Sequence, residues 1–414
     1  MLVIYSRRRQ AEGVKVMTRL VILGCIAFLV VGLGQLVVGT VMEPMVHAYG
    51  VQYGDGGQLV MNQFLGGVAG VLLAPWLMKL LGKKKLLLTA LACMVLAEGI
   101  YAFQPPWLMM LITGPIAGFG FGTTEAVVAS FIILTAGNNA NVAMSRVEVS
   151  FGVGALLMPF AGAPLISSGN WMTGFAVVSV LAIVTLVLWL LFWPRELDQS
   201  KEEAKEAEIK SAQAQASISR SRRNIIMIAC GLFIAVYVGF EISLVHYFPS
   251  LLVKNGLSDA SASLSLSVYW GAMVLGRLVS GHIADRWGGA PYMLVTCSAC
   301  AVLFLILGIT ESTGGMFALA FGMGLVMSGM YSIAIVFSSR ALPGSNEKTI
   351  SFLMMFGGVG GAFMPKLTGW FIDRNGVADM RWLFVGFAIA MLAVIAWAII
   401  ASRKTRKLAE ATAA

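Results

Sequence analysis

The chain has 414 residues, of which 58% are hydrophobic and 12% charged, with a formal net charge of +9 and a mean hydropathy of +0.84. A water-soluble domain carries charge on roughly a quarter of its residues, so this composition excludes a soluble globular protein and makes lipid the main solvent. Closed β-barrels are the other way to satisfy backbone groups inside a bilayer, but no alternating strands of barrel length recur here.

Apolar segments of about 20 residues, long enough to cross a bilayer as helices, recur at 19–42, 58–81, 86–104, 107–134, 147–168, 171–194, 224–249, 262–284, 291–310, 314–338, 349–373 and 381–402. They predict an all-α polytopic membrane protein with twelve transmembrane helices and no separate soluble domain. In chain order the expected parts are a cytoplasmic N-terminus (1–18), a six-helix lobe (19–194), a polar linker (195–223), a second six-helix lobe (224–402) and a cytoplasmic C-terminus (403–414). The first residues have the basic character of a leader, but no small-residue cleavage site follows the first apolar run. The linker, rich in Glu, Lys, Ala and Ser, has a helix-forming composition and is expected to lie as a surface helix.

The basic surplus is distributed unevenly. Arg7, Arg8, Arg9, Lys15 and Arg19 precede the first span, Lys79, Lys83, Lys84 and Lys85 follow the second, the linker holds more, and Arg403, Lys404, Arg406 and Lys407 follow the last. If spans alternate, all lie on one face, and the opposite loops hold only Lys254, Arg374 and Arg381. This asymmetry predicts a plasma-membrane protein with both termini cytoplasmic and anionic lipid, not nucleic acid, as the partner of its positive charge. The five cysteines (Cys25, Cys93, Cys230, Cys297, Cys300) lie within spans and act as packing residues, Cys297-x-x-Cys300 included. No metal or other cofactor is expected.

The two lobes repeat each other. Residues 152–154 and 158–159 (Gly-Val-Gly, Met-Pro) recur 206 positions later at 358–360 and 364–365. Gly70/Gly276, Gly82/Gly288 and Gly118/Gly324 share that offset, and Gln35 falls opposite Glu241. Two halves with an even number of spans have the same orientation and are related by an axis along the membrane normal, the arrangement of two-lobed carriers that bind at the midplane. Glycines in the fourth and eleventh spans allow close helix approach or act as bend points. Pro159 and Pro365 cannot donate helix hydrogen bonds and loosen the following turn.

Four stretches stand out: GFGFGTTEAVVASF (span four), NVAMSRVEVSFGVGAL (span five), YVGFEIS (span seven) and YWGAMVLGRLVSG (span eight, with Gly276-Arg277). With them the chain resembles the major facilitator superfamily and, within it, the fucose-permease-like group of proton-linked fucose, galactose and glucose symporters. The superfamily loop motif Gly-x-x-x-Asp-Arg-x-Gly stands as Gly281, Asp285, Arg286 and Gly288, while Lys79 replaces the aspartate in the first half. A second match, Gly369–Gly376, falls on the outer side and counts as coincidence. The resemblance implies a transporter, not an enzyme, with Glu125 as the buried glutamate of span four and Asp285–Arg286 as a cytoplasmic clamp. At the position of the family's first-helix acid this chain has Gly39, with Glu43 one helical turn on, on the same face by helical periodicity.

Ionisable groups inside a membrane are costly and mark a path or a partner. Glu125 is a proton carrier or a structural partner of Arg146 or Arg277, and Glu241 and Glu43 are further proton-coupling candidates. Arg146, Glu148 and Arg277 are candidates for the gate, and Glu98 for snorkelling or packing. Lys366, just after Pro365, lacks an acidic neighbour in its own helix, so Glu241 or Glu43 is its expected partner; it contacts an anionic substrate, switches a charge pair, or snorkels. Hydrogen-bonding and aromatic candidates for a small-molecule substrate are Gln35, Asn62, Tyr237, His246, Tyr269, Trp270 and Tyr331. The expected function is proton-coupled secondary transport of a sugar or related polar solute by a monomer. The competing expectation, from the methionines, Gly39 and Lys366, is proton-antiporting export of drugs, amphipathic compounds or lipid-linked glycans. No P-loop is present.

Overall fold

In the computed structural model the described residues are 2–136, 140–194, 220–342 and 347–413, almost all helical. The first half holds α1 (Leu2–Thr40), the short α2 (Met42–Tyr49), α3 (Tyr53–Leu81), α4 (Lys83–Ala102), α5 (Trp107–Ala136), α6 (Ala140–Ser167) and α7 (Thr173–Leu191). The second holds α8 (Arg220–Lys254), α9 (Asp259–Trp287), α10 (Gly289–Ile309), α11 (Thr313–Met327), α12 (Met330–Ala341), α13 (Glu347–Asn375) and α14 (Met380–Ala413). The linker expected to form a surface helix lies outside the described residues, except for its last positions, which begin α8.

Eleven described segments are long and apolar enough to span a bilayer. The remaining expected span, α13, is long enough, but Gly357, Gly358, Gly360, Gly361 and Lys366 dilute its hydropathy. The expected tenth span is two helices, α11 and α12, parted at Ser328–Gly329. Gly329 sits where any side chain would strike Tyr292 and Ser280. The first span also breaks, at Val41 (φ −104°, ψ 14°), so Glu43 lies in the first turn of a new helix, α2.

The packing repeats as the offset predicts. α1 packs on α6 and α4 on α7 in one lobe; α8 packs on α13 and α10 on α14 in the other. The repeated glycines explain the match: a side chain on Gly154 would run into the Leu29 carbonyl, and one on Gly360 into the Ala235 carbonyl, both pairs 206 apart. Lipid-exposed apolar residues such as Leu96, Leu108, Phe160 and Ile309 cover the outside. The lobes meet along two seams, α3 against α13 and α6 against α9, with α1 touching α8 between them. The loops around 41–52, 103–106, 168–172, 255–258, 310–312 and 376–379 define a distal end, opposite the terminal end that carries both chain termini.

Candidate functional site: a polar cluster across the lobe interface

α5 is drawn deep into the first lobe because its glycines remove side chains at the contacts. A Cβ on Gly118 would meet the Gln63 carbonyl, and one on Gly122 the backbone of Gly67. Thr123 and Thr124 are fully buried beside them. The next residue, Glu125, accepts a hydrogen bond from Gln35 Nε2 of α1 at 3.1 Å. Its electrostatic neighbours are Glu148 on α6 and Tyr331 on α12, so it faces the second lobe.

From the other side, Glu241 on α8 accepts from the Tyr237 hydroxyl at 3.1 Å and has the Tyr269 hydroxyl of α9 beside it. Tyr237 also reaches the Met327 carbonyl at 3.1 Å, and Tyr269 the Met327 sulfur at 3.7 Å, which ties α8 and α9 to the end of α11. Arg277 of α9 is the positive charge that attracts both Glu148 and Glu241. Its guanidinium lies 5.9 Å from the Trp270 ring centre, and Trp270 meets Phe151 of α6 at 6.0 Å. The Trp270 indole N–H is buried without a hydrogen-bond partner among the described residues. Tyr237 and Tyr331 lie near-parallel, 6.4 Å apart.

The site therefore gathers Gln35, Glu125 and Glu148 from one lobe and Tyr237, Glu241, Tyr269, Trp270, Arg277 and Tyr331 from the other. Glu148 and Arg277, expected at a gate, belong to this cluster. The repeat offset of 206 places Glu125 opposite Tyr331 and Gln63 opposite Tyr269, as it does Gln35 opposite Glu241. Applied to each polar residue in a span, that offset would have exposed Tyr331 as the counterpart of Glu125.

Other candidates lie elsewhere. Asn62 sits in the α3–α5 interface, where it donates to the Leu111 carbonyl at 2.9 Å and accepts from Gln58. His246 is buried beside Gly39, its Nδ1–H donating to the Ile242 carbonyl at 2.8 Å. Gly39 itself packs against the Val245 carbonyl, so its lack of a side chain allows α1 to approach α8. Glu98 does not snorkel: it is 0% exposed, and neither carboxyl oxygen has a hydrogen-bond partner among the described residues. Arg146, Asp285 and Arg286 are exposed toward the terminal end. Gly288, which closes the loop motif, has φ 86°, a conformation suited to glycine, and its counterpart Gly82 has φ 82°.

Two charged candidates lie at the distal end. Glu43 is buried, and the Tyr53 hydroxyl reaches its two oxygens at 3.0 and 3.2 Å. Burial raises the Glu43 pKa above the usual carboxylate value, while the hydroxyls of Ser250 and Tyr53 pull it back. Lys366 donates to the Gly54 carbonyl at 2.7 Å. Its partner is thus a backbone group of the opposite lobe, where sequence reasoning expected Glu241 or Glu43.

A helical bundle of two repeated lobes with a polar cluster sealed between them defines a two-lobed membrane carrier. The family model of the Major Facilitator Superfamily matches residues 24–345 and 255–414, and the chain belongs to that superfamily. It is 25% identical to the glucose/mannose transporter GlcP of Bacillus subtilis (strain 168) over 368 residues, which cover 89% of this chain and 91% of that protein. It is 26% identical to a glucose/galactose transporter of Brucella abortus biovar 1 (strain 9-941) over 304 residues, 69% of this chain and 65% of that one. The fold matches the crystal structure of a D-xylose-proton symporter with a TM-score of 0.75 at 16% identity, covering 91% and 97% of the two chains.

Proposed function

We propose that the chain carries a neutral sugar of the hexose class across the cytoplasmic membrane by alternating access, coupled to protons. The observation that carries this reading is the charge balance of the cluster: Glu148 and Glu241 share the cation Arg277, and Glu125 lies beside Glu148 with a neutral amide, Gln35, as its hydrogen-bond partner. Closing such a site away from water leaves negative charge uncompensated, which is costly in a low-dielectric interior. A neutral sugar brings no charge, so protons on the carboxyls make closure favourable. Loading and release of the solute are then tied to loading and release of protons.

Glu125 is the principal carrier. It sits at the lobe interface and holds one hydrogen bond from the neutral amide of Gln35, a partner that tolerates both its protonation states. Glu241, opposite Gln35 in the repeat, supplies the second acid and makes up for Gly39 in the first helix. Tyr237, Tyr269, Tyr331 and the Trp270 N–H offer donors and ring faces to sugar hydroxyls and C–H groups. Relatives that are glucose/mannose and glucose/galactose transporters support the sugar assignment. The charge asymmetry between loops supports cytoplasmic termini, which makes the distal end the outer one.

The test is uptake into vesicles reconstituted with the protein. With an acidic exterior the wild type is expected to concentrate glucose, mannose or galactose, and to lose accumulation when the gradient is collapsed. Glu125→Gln is expected to abolish gradient-driven accumulation, while sugar exchange at equal concentrations persists. Extrusion of an amphipathic dye without sugar accumulation would replace this reading with drug-type export.

A further inference from the structure

We infer that the α3–α13 seam carries a one-sided latch, in which Asp373, Lys366 and Tyr247 of the second lobe grip the first-turn backbone of α3 and hold the distal end shut. The first N–H groups of any helix lack partners within it and attract negative charge. In α3 they are divided between two sources. Its own capping box, Gln52 with Asp55, serves locally, with Gln52 N–H donating to Asp55 Oδ2 at 3.1 Å. The Tyr53 and Gly54 N–H groups donate across the lobe interface to the two carboxylate oxygens of Asp373, at 3.1 and 2.8 Å.

The carbonyls of the same turn are held as well. The Tyr53 carbonyl accepts from the Tyr247 hydroxyl at 3.1 Å, and the Gly54 carbonyl from Lys366 Nζ at 2.7 Å. The two backbones can come this close because side chains are missing. A Cβ on Gly54 would strike Asp373, and one on Gly369 would strike the Tyr53 carbonyl and the Tyr247 hydroxyl. Asp373 and Gly369 both belong to the 369–376 stretch that sequence reasoning set aside as coincidence. It serves here as half of the latch.

The repeat shows that the latch is a departure from symmetry. At the shared offset of 206, Asp373 corresponds to Ser167, Lys366 to Phe160 and Tyr247 to Val41. Ser167 Oγ donates to the Pro164 carbonyl of its own helix, and Phe160 is 67% exposed. Among the described residues the α6–α9 seam therefore shows none of these polar bonds at its distal end. The inference rests on the alternating-access reading: when the lobes part distally, all four bonds must break, and their strength sets how often the site opens to that side.

The test measures distances between spin labels on bio-orthogonal residues at Gln104 and Glu311, exposed distal positions in opposite lobes, in vesicles without substrate. The wild type is expected to show mainly the short, closed distance. Asp373→Ala is expected to raise the ratio of long to short distances about tenfold or more, as loss of charge-assisted bonds requires. Tyr247→Phe removes one hydroxyl from an otherwise unchanged ring and is expected to raise the ratio about two- to fivefold. Ser167→Ala and Phe160→Ala, the repeat counterparts, are expected to leave it unchanged. Wild-type distances in both Asp373→Ala and Tyr247→Phe, or equal opening in Ser167→Ala, would overturn the latch. The readout, taken at one fixed pH, requires neither sugar nor a proton gradient. A failed latch with intact sugar accumulation therefore spares the transport reading, and absent accumulation with opened variants spares the latch.

Discussion

The two interlobe seams use corresponding helices and differ in what they carry. α3 and α13 in one seam correspond by the repeat to α9 and α6 in the other, and the glycine-on-carbonyl packing of α6 and α13 within their own lobes is the same. Yet the α3–α13 seam is fastened at its distal end by charged groups on backbone, while the α6–α9 seam is held nearer its middle by Ser267, whose hydroxyl donates to the Leu156 carbonyl at 3.0 Å. Packing that builds each lobe tolerates little change, since one methyl at a backbone contact costs stability. Side chains facing the other lobe are free to diverge, and there the duplicated halves acquired different tasks.

The largest expected effect that separates the seams is steric. In Gly57→Ala the new Cβ would lie 2.6 Å from the Tyr247 hydroxyl and 2.8 Å from the Pro365 carbonyl, whereas in Gly271→Ala it meets only Leu156 at 3.5 Å. Gly57→Ala is expected to destabilise the closed form by about 1–3 kcal/mol and to show long distal label distances, with Gly271→Ala close to wild type. Equal behaviour of the two would erase the distinction between a tight seam and a loose one.

Next comes replacement of one seam's chemistry by the other's. Lys366→Phe gives α13 the residue that α6 has at Phe160. Losing the hydrogen bond from a charged group is expected to weaken distal closure by about 1.5–3 kcal/mol at most, seen as a rise in the long-distance fraction. Closure that survives this change would assign the fastening to Asp373 and Tyr247 alone.

A pH effect follows from Glu43, which is buried in this distally closed form and is expected to meet water when the distal end opens. Burial raises its pKa above the ordinary 4.5, so the closed form binds a proton more tightly than the open one. Both forms are protonated below that ordinary value. Closure therefore loses stability as pH rises from there through the raised value, by less than tenfold per pH unit for one group. Its titratable neighbours are His47 on its own helix, Tyr53 of α3 and Asp259 at the start of α9. Glu43→Gln should flatten the pH dependence of the distal label distances, and Tyr53→Phe should extend it to higher pH. A slope unchanged in Glu43→Gln would assign the response to another group.

The smallest effect belongs to the loose seam. Ser267→Ala removes one neutral hydrogen bond and is expected to cost about 1 kcal/mol or less, measured as a small shift in thermal unfolding with distal distances unchanged.

Several members of the candidate site are legible in the chain. A carboxylate in an apolar span is expensive anywhere but at a cavity or a partner, so Glu125 and Glu241 stand out as candidates in the sequence, and the offset pairs Gln35 with Glu241. What escaped was association between helices far apart in sequence. Glu148 and Arg277, read as gate residues, join the central cluster because α6 meets α9. Asn62, read as a sugar ligand, is engaged by the Leu111 carbonyl because α3 lies against α5. Lys366 found a backbone carbonyl, and no residue pattern announces one.

By itself the sequence determined the membrane solvent, the helical spans, the duplication and the residues too costly to bury without purpose. Hydropathy, glycine spacing and charge act locally along the chain, so they can be read in order. Only the tertiary structure decided which seam is latched, that Glu43 lies buried at the distal end, and that residues 369–376 hold α3. Those outcomes depend on backbone groups meeting across the lobe interface, and the backbone is the one chemical feature that every residue shares.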